Sequence, residues 1–199
     1  MERKQNKAEI KYKTTGFFTN KNMEFVLGHE FDSKEQTEDF LKRSQTFDHM
    51  LTIEKEKESN KSPPKPFNTS RLLQTASNML HTNPKQTMQI CQTLYQSGLI
   101  TYMRTESTKY APPFLDSMES YIEKEFGKNY IGKLDLIKNK DKNNPHEAIR
   151  VTDIHVTNIS NKKDAAMYRL IWRNTIESCM SDAKYMVTPL KISAPSIND

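Results

Sequence analysis

The stretch Ser62-Pro63-Pro64-Lys65-Pro66 decides how this sequence is divided. Proline fixes the backbone φ angle and has no amide hydrogen, so neither a regular helix nor a regular strand can run through it. Residues 54–61, just before it, are almost wholly charged or polar. Alternating apolar patterns precede this stretch and helical patterns follow it, so we place a domain boundary here.

The part before the boundary is predicted to be rich in β-structure. Apolar and polar residues alternate within residues 8–31, which indicates two antiparallel strands joined by a turn at 19–22. Ser33 and Gln36 form a capping-box pattern that opens a helix over 34–43. Residues 49–55 then read as a further strand.

The part after the boundary is predicted to be mainly helical. Asn68 or Thr69 can cap a first helix, Asn83-Pro84 a second and Pro112-Pro113 a third, and a last helix covers about 163–180. Residues 128–145 are rich in Lys, Asn and Asp and read as an exposed loop, whereas 185–193 alternates and reads as one strand. The sequence therefore predicts an α+β fold, in which a helical domain, 62–182, is inserted into a β-rich domain formed by 1–61 and 183–199.

The composition excludes some classes of protein and leaves others open. Thirty Lys and Arg against 25 Asp and Glu give a net charge of +5, a mild excess that suits nucleic acid but also many other proteins. No run approaches the roughly 20 apolar residues of a membrane span, and the polar start does not resemble a secretory signal. Cys91 and Cys179 lack CxxC spacing, which argues against a zinc finger and favours a reducing compartment.

Residues 98–108 form the segment with the clearest chemical potential. Tyr102, Arg104 and Glu106 recur at every second residue, so an extended backbone would point all three side chains the same way. A tyrosine hydroxyl can attack a phosphodiester and hold it as a phosphotyrosine ester. An arginine two residues away can grip the phosphate while negative charge develops on its oxygens.

The same segment has a simpler structural interpretation. The hydroxyl groups of Thr101, Thr105 and Ser107 can add hydrogen bonds to a phosphate, but they also suit an ordinary amphipathic strand with a surface arginine and glutamate. No spacing rule distinguishes the two. Tyr95, by its helical spacing, is predicted to pack rather than to react.

Four segments in order resemble motifs of the type IA DNA topoisomerases. Residues 100–108, Ile-Thr-Tyr-Met-Arg-Thr-Glu-Ser-Thr, resemble the active-site signature of this family. Pro-Phe-Asn-Thr-Ser at 66–70, the helix at 87–95 and His-Glu-Ala-Ile-Arg at 146–150 resemble its other motifs. The resemblance covers about 62–182, and Met103 resembles the bacterial topoisomerase I branch.

The resemblance implies a mechanism and a role for each matching residue. Tyr102 would attack single-stranded or underwound DNA and hold the broken 5′ end, another strand would pass, and resealing would need no ATP. Arg104 would position the scissile phosphate. The residues expected to bind DNA or support the active site are Gln92, Thr101, Thr105, Glu106, Ser107, His146 and Arg150, although for Arg150 a structural salt bridge is an equal alternative.

Three positions depart from the family pattern. Glu106 stands where the family usually has Asp, which keeps the charge but lengthens the side chain by one methylene. Gln96 occupies a position commonly filled by Glu, and Val151 replaces a proline. Tyr102, at the position of the family's nucleophile, matches the pattern.

The acidic metal-binding domain that precedes this region in the family has no counterpart here. We expect the chain to be a central fragment that needs Mg²⁺ bound outside it and the remaining topoisomerase domains as partners, and that is nearly inactive alone. We expect it in the cytoplasm or nucleoid, wherever DNA is handled, and not secreted or in a membrane. The alternatives are a non-catalytic module that binds single-stranded nucleic acid and, more remotely, an unrelated basic interaction domain.

Overall fold

The computed structural model describes residues 10–141 and 146–194. The described residues form two compact units, one made of 10–58 with 186–194 and the other of 59–185. Helices and strands are both present, so the predicted α+β class is confirmed. The domain limits predicted from the sequence stay predictions.

The first unit contains the predicted hairpin and short helix. β1 (Thr15–Phe18) pairs antiparallel with β2 (Met23–Val26), and Thr19 and Asn22 adopt positive φ angles of 69° and 50° in the turn between them. Helix α1 (Lys34–Ser44) begins where expected, because the Ser33 hydroxyl accepts a hydrogen bond from the Gln36 amide at 3.2 Å.

One strand was not predicted, and one strand prediction was wrong. The polar stretch 54–61 contains a strand, β4 (Lys57–Lys61), which pairs with β5 (Ala183–Val187). Residues 185–193 do not form one strand, because the chain leaves β5 and starts again in β6 (Leu190–Ser193), which pairs with β3 (Met50–Ile53). Pro189, which cannot donate a ladder hydrogen bond, lies at the break, and its carbonyl accepts from the Glu54 amide at 2.9 Å.

The second unit is built on four helices, α2 (Thr69–Leu80), α3 (Pro84–Gln96), α4 (Pro112–Glu125) and α5 (Lys162–Glu177). Of the two candidate caps for α2, Asn68 is the one used, and its Oδ1 accepts from the Arg71 amide at 3.0 Å. Asn83 and Gln86 form the predicted capping box of α3, and Gly98 follows that helix with φ 72°.

Side chains from all four helices meet in one hydrophobic core. The fully buried members include Leu72, Ala76, Cys91, Leu94, Met118, Ile122, Met167 and Ile171. On α4, Leu115 is buried, whereas Phe114 and Tyr121 are only partly buried and pack against the core. None of the described helices is long and apolar enough to cross a membrane.

The segment after α4 is more ordered than an exposed loop. It forms two short 3-10 turns, Lys128–Tyr130 and Leu134–Leu136, and the backbone between them is held against the end of the core. The Gly132 amide donates to the Cys179 carbonyl at 2.9 Å, and Ile131 forms an antiparallel bridge with Met180. Residues 142–145 of the predicted loop lie outside the described residues.

Candidate active site

Three segments that are far apart in the sequence are joined by backbone hydrogen bonds beside Tyr102. The Thr69 amide donates to the Thr105 carbonyl at 3.0 Å, and the Ile149 amide donates to the Phe67 carbonyl at 2.7 Å. The Thr101 amide donates to the Arg150 carbonyl at 2.9 Å. The segments 66–70, 100–108 and 146–150 therefore form one local structure.

The burial of residues 102–106 follows the two-residue spacing noted in the sequence. Met103 is completely buried and Thr105 nearly so, whereas Tyr102, Arg104 and Glu106 are exposed, with Tyr102 at 43%. The segment belongs to no regular strand and bends at Met103. Its buried positions anchor it to the core, and its exposed positions present a phenol, a guanidinium and a carboxylate on the accessible side.

Thr69 holds this segment in place through one hydroxyl group. Its Oγ1 lies 2.9 Å from the Met103 carbonyl oxygen and 3.1 Å from the Thr105 carbonyl oxygen, and it accepts from the Thr105 amide at 3.0 Å. A hydroxyl is needed because it both donates and accepts. The sequence offered Thr69 as a helix cap and as a member of the 66–70 motif, but it did not reveal this anchoring role, because the partners are more than thirty residues away.

Thr69→Val is expected to lower the free energy of unfolding by about 2 kcal/mol, because valine has a similar shape but leaves the buried amide and carbonyl groups of 103–105 without this partner. Urea unfolding followed by circular dichroism measures the loss. Thr69→Ser, which keeps the hydroxyl, and Thr93→Val on the exposed face of α3 are the controls. Equal stabilities for Thr69→Val and Thr69→Ser would contradict the assigned role.

Thr101 links the tyrosine segment to the segment that ends in Arg150. Its hydroxyl donates to the Ala148 carbonyl and accepts from the Arg150 amide, each at 3.0 Å. Both backbone and side chain of the residue before Tyr102 are thereby fixed. The side chain is partly buried, and its predicted contact with DNA stays a prediction.

The other polar groups of the segment make contacts within the chain. Glu106 Oε2 accepts from Asn68 Nδ2 at 3.4 Å. The Thr105 hydroxyl accepts from the Ser107 amide at 3.1 Å, and the Ser107 hydroxyl accepts from the Lys109 amide at 3.2 Å. These two hydroxyls therefore shape the backbone that follows Arg104.

Arg150 forms a salt bridge, the alternative to phosphate binding that the sequence left open. Its guanidinium forms a two-pronged ion pair with Glu147, at 2.8 and 3.0 Å, and donates to the Val151 carbonyl at 3.0 Å. The same group lies 4.0 Å from the centre of the Phe114 ring, a favourable position for a cation. A role in binding phosphate stays a prediction.

Tyr102 differs from the buried tyrosines in its exposure to solvent. Burial raises the pKa of Tyr168 to about 12, and burial likewise raises the pKa of Tyr110, whose hydroxyl lies 3.0 Å from Ser178 Oγ. Raised phenol pKa values oppose formation of the attacking phenolate. Tyr95 is exposed like Tyr102, and its ring packs edge-on against the Tyr102 ring.

Gln92 and His146 are the two remaining residues that the sequence assigned to the site. Gln92 is partly buried on α3, one turn before the end of that helix, and His146 is exposed at the start of the third segment. Their predicted roles stay predictions. Across residues 10–141 and 146–194, no group of three or more His, Cys, Asp or Glu side chains is arranged to hold a metal ion.

A family model described as DNA topoisomerase matches residues 3–198. The chain belongs to the DNA topoisomerase family. The predicted resemblance to type IA enzymes is confirmed, and within them this topoisomerase chain resembles the bacterial topoisomerase I branch.

This topoisomerase chain matches only a part of each of its relatives. DNA topoisomerase 1 of Haemophilus influenzae is 36% identical over 201 residues, which cover 96% of this chain and 22% of the relative. DNA topoisomerase 1 of Escherichia coli is 34% identical over 168 residues, covering 81% of this chain and 19% of the relative. The chain therefore spans about a fifth of the length of these relatives.

A solved structure shares the fold. The structure of full-length topoisomerase I from Thermotoga maritima superposes with a TM-score of 0.65 at 29% sequence identity. The match covers 94% of this chain and 32% of that chain.

Proposed function

We propose that this topoisomerase chain carries the nucleophile of a type IA reaction and that Tyr102 is that nucleophile. The Tyr102 oxygen would attack a backbone phosphorus of single-stranded DNA and lose its proton. The bond from phosphorus to the 3′ oxygen would break, and that oxygen would leave as a 3′-hydroxyl. The observation that carries the proposal is an exposed tyrosine on a segment whose neighbouring residues, Thr101 and Met103, are anchored.

Arg104 is proposed to hold the scissile phosphate. It is exposed, like Tyr102 two residues earlier, and its planar cation can bind two phosphate oxygens at once. The charge on those oxygens grows during attack, so this contact would be strongest in the transition state. Glu106, which is also exposed, would remain bonded to Asn68, the cap of α2.

Resealing would reverse the same step. The 3′-hydroxyl would attack the phosphotyrosine ester, re-form the DNA bond and return the proton to Tyr102. Because the ester stores the broken bond covalently, no ATP is required. Strand passage, relaxation of negative supercoils and dependence on Mg²⁺ belong to the proposal for the longer enzyme. The described residues contain no group of three or more His, Cys, Asp or Glu side chains arranged to hold the metal, and no step of this chain is routed through it.

The test joins this chain to the remainder of a relative. A chimera in which the chain replaces the matching part of the Haemophilus influenzae enzyme is incubated with single-stranded oligonucleotides labelled at either end. Protein–DNA adducts are separated on a denaturing gel and digested with trypsin. The 3′-labelled strand should stay attached to the protein, and mass spectrometry should place the nucleotide on Tyr102.

Two results would contradict the proposal. Retention of the 5′-labelled strand would reverse the polarity of the linkage. Tight DNA binding without adduct, while the unmodified relative forms adduct under the same conditions, would favour the alternative of a single-strand-binding module that acts by charge and stacking.

A further inference from the structure

We propose that Tyr95 is a positioning residue for Tyr102, so that the tyrosine on α3 sets the direction of the attacking hydroxyl. This inference rests on the proposed function of Tyr102. The two ring centroids are 5.3 Å apart and the ring planes meet at 63°, which is the edge-to-face arrangement that aromatic pairs prefer. Both rings are exposed, Tyr95 at 41% and Tyr102 at 43%, so they form a pair at the surface and not in the core.

Tyr95 has a rigid attachment. It lies in the last turn of α3, next to Leu94, which is almost completely buried. The helix ends in a tight turn in which the Gly98 amide donates to the Tyr95 carbonyl at 2.9 Å and the Leu99 amide donates to the Leu94 carbonyl at 2.9 Å. The base of the Tyr95 side chain is therefore fixed relative to the core.

Tyr102 has a fixed backbone but a side chain that needs an external constraint. The hydrogen bonds of Thr101 and the burial of Met103 hold the main chain on both sides of it. The ring itself projects outward and can still rotate about two side-chain bonds. The Tyr95 ring occupies one side of that space and restricts the directions that the Tyr102 oxygen can take.

Such a restriction matters for an in-line attack. A reacting oxygen must lie close to phosphorus and opposite the leaving group, and a misplacement of about 1 Å can slow a reaction by about a hundredfold. An aromatic ring supplies the constraint without its hydroxyl. Tyr95→Phe should therefore keep the cleavage rate, whereas Tyr95→Ala should lower it about tenfold and leave DNA binding unchanged.

The first measurement does not depend on cleavage. 3-Fluorotyrosine is placed at position 102 of the 199-residue chain, and its fluorine resonance is recorded. The resonance should move in Tyr95→Ala, because the shielding of the neighbouring ring is lost, and should stay in place in Tyr95→Phe. Tyr130→Ala removes another exposed tyrosine, at 53% exposure, and is the matched control that should leave the resonance unchanged.

The second measurement uses the chimera with the relative. The single-turnover rate of adduct formation and the dissociation constant for single-stranded DNA are determined for the same variants. If Tyr95→Ala lowers the melting temperature, Tyr95→Leu is used in its place. Leucine keeps the helix surface covered but has no aromatic ring, so the comparison with Tyr95→Phe still isolates the ring contact.

Three outcomes would overturn the inference. An unchanged cleavage rate in Tyr95→Ala would show that the contact does not matter. Equal losses in Tyr95→Phe and Tyr95→Ala would assign the effect to the hydroxyl. A rise in the dissociation constant as large as the fall in rate would make Tyr95 a DNA-binding residue. If the wild-type chimera forms no adduct but the fluorine shift is as expected, the proposed function fails and the ring constraint stands.

Discussion

Tyr102→Phe is expected to abolish the covalent adduct with single-stranded DNA while leaving the affinity for that DNA within about twofold. The change removes one oxygen atom and keeps the ring, so the contact with Tyr95 and the anchoring of the segment are retained. Adduct formation is measured on denaturing gels with the chimera, and affinity by fluorescence anisotropy.

Tyr130→Phe is the matched control, because it removes the hydroxyl of an exposed tyrosine outside the tyrosine segment. It should form adduct at the wild-type rate. Adduct in Tyr102→Phe at more than about a hundredth of that rate would place the nucleophile on another residue. Mass spectrometry of the digested adduct would then identify it, with the exposed hydroxyl of Tyr95 as the first position to inspect.

Gly132→Ala is expected to lower the free energy of unfolding by about 3 kcal/mol, which is a large effect for one methyl group. A Cβ atom at this position would lie 2.7 Å from the Met180 carbonyl carbon and 2.8 Å from the Cys179 carbonyl oxygen, and closer still to the Met180 oxygen. These are backbone atoms, so no side-chain rotation can relieve the contact. The hydrogen bond from the Gly132 amide to Cys179 would be displaced as well.

Urea unfolding of the whole chain, followed by the helical circular dichroism signal, measures this loss. Gly28→Ala is the control, because a Cβ atom there meets no atom within 4 Å, and its effect should stay within about 0.5 kcal/mol. A Gly132→Ala chain as stable as Gly28→Ala would mean that residues 131–133 do not pack against the end of the core in solution.

The sequence was most informative where structure depends on neighbours along the chain. The hairpin of β1 and β2, the cap at Ser33 and the capping box of Asn83 and Gln86 involve groups within a few residues of each other. Their signals can be read directly, because side chain and backbone meet at fixed spacing. The alternation of Tyr102, Arg104 and Glu106 is also a local pattern, and the burial of the segment follows it.

The sequence was least informative where structure depends on distant partners. The polar residues of β4 form a strand because β5 supplies backbone partners more than a hundred residues later. Thr69 holds residues 103–105, and Gly132 is needed because the backbone of Met180 passes beside it. The spacing of residues within one segment does not indicate contacts with residues that are distant in the sequence. The contact between Tyr95 and Tyr102 spans only seven residues, yet the intervening turn at Gly98 decides it.

The alternating burial of residues 102–106 also constrains the length of the segment. Deleting one residue between the anchors at Thr101 and Thr105 would leave two residues to span a distance now spanned by three, so Met103 could not stay buried while both anchors kept their hydrogen bonds. Substitutions at the outward positions leave the anchors in place, but an insertion or deletion cannot. The chemistry of this segment can therefore be altered one side chain at a time, whereas a change in its length would disturb the anchors themselves.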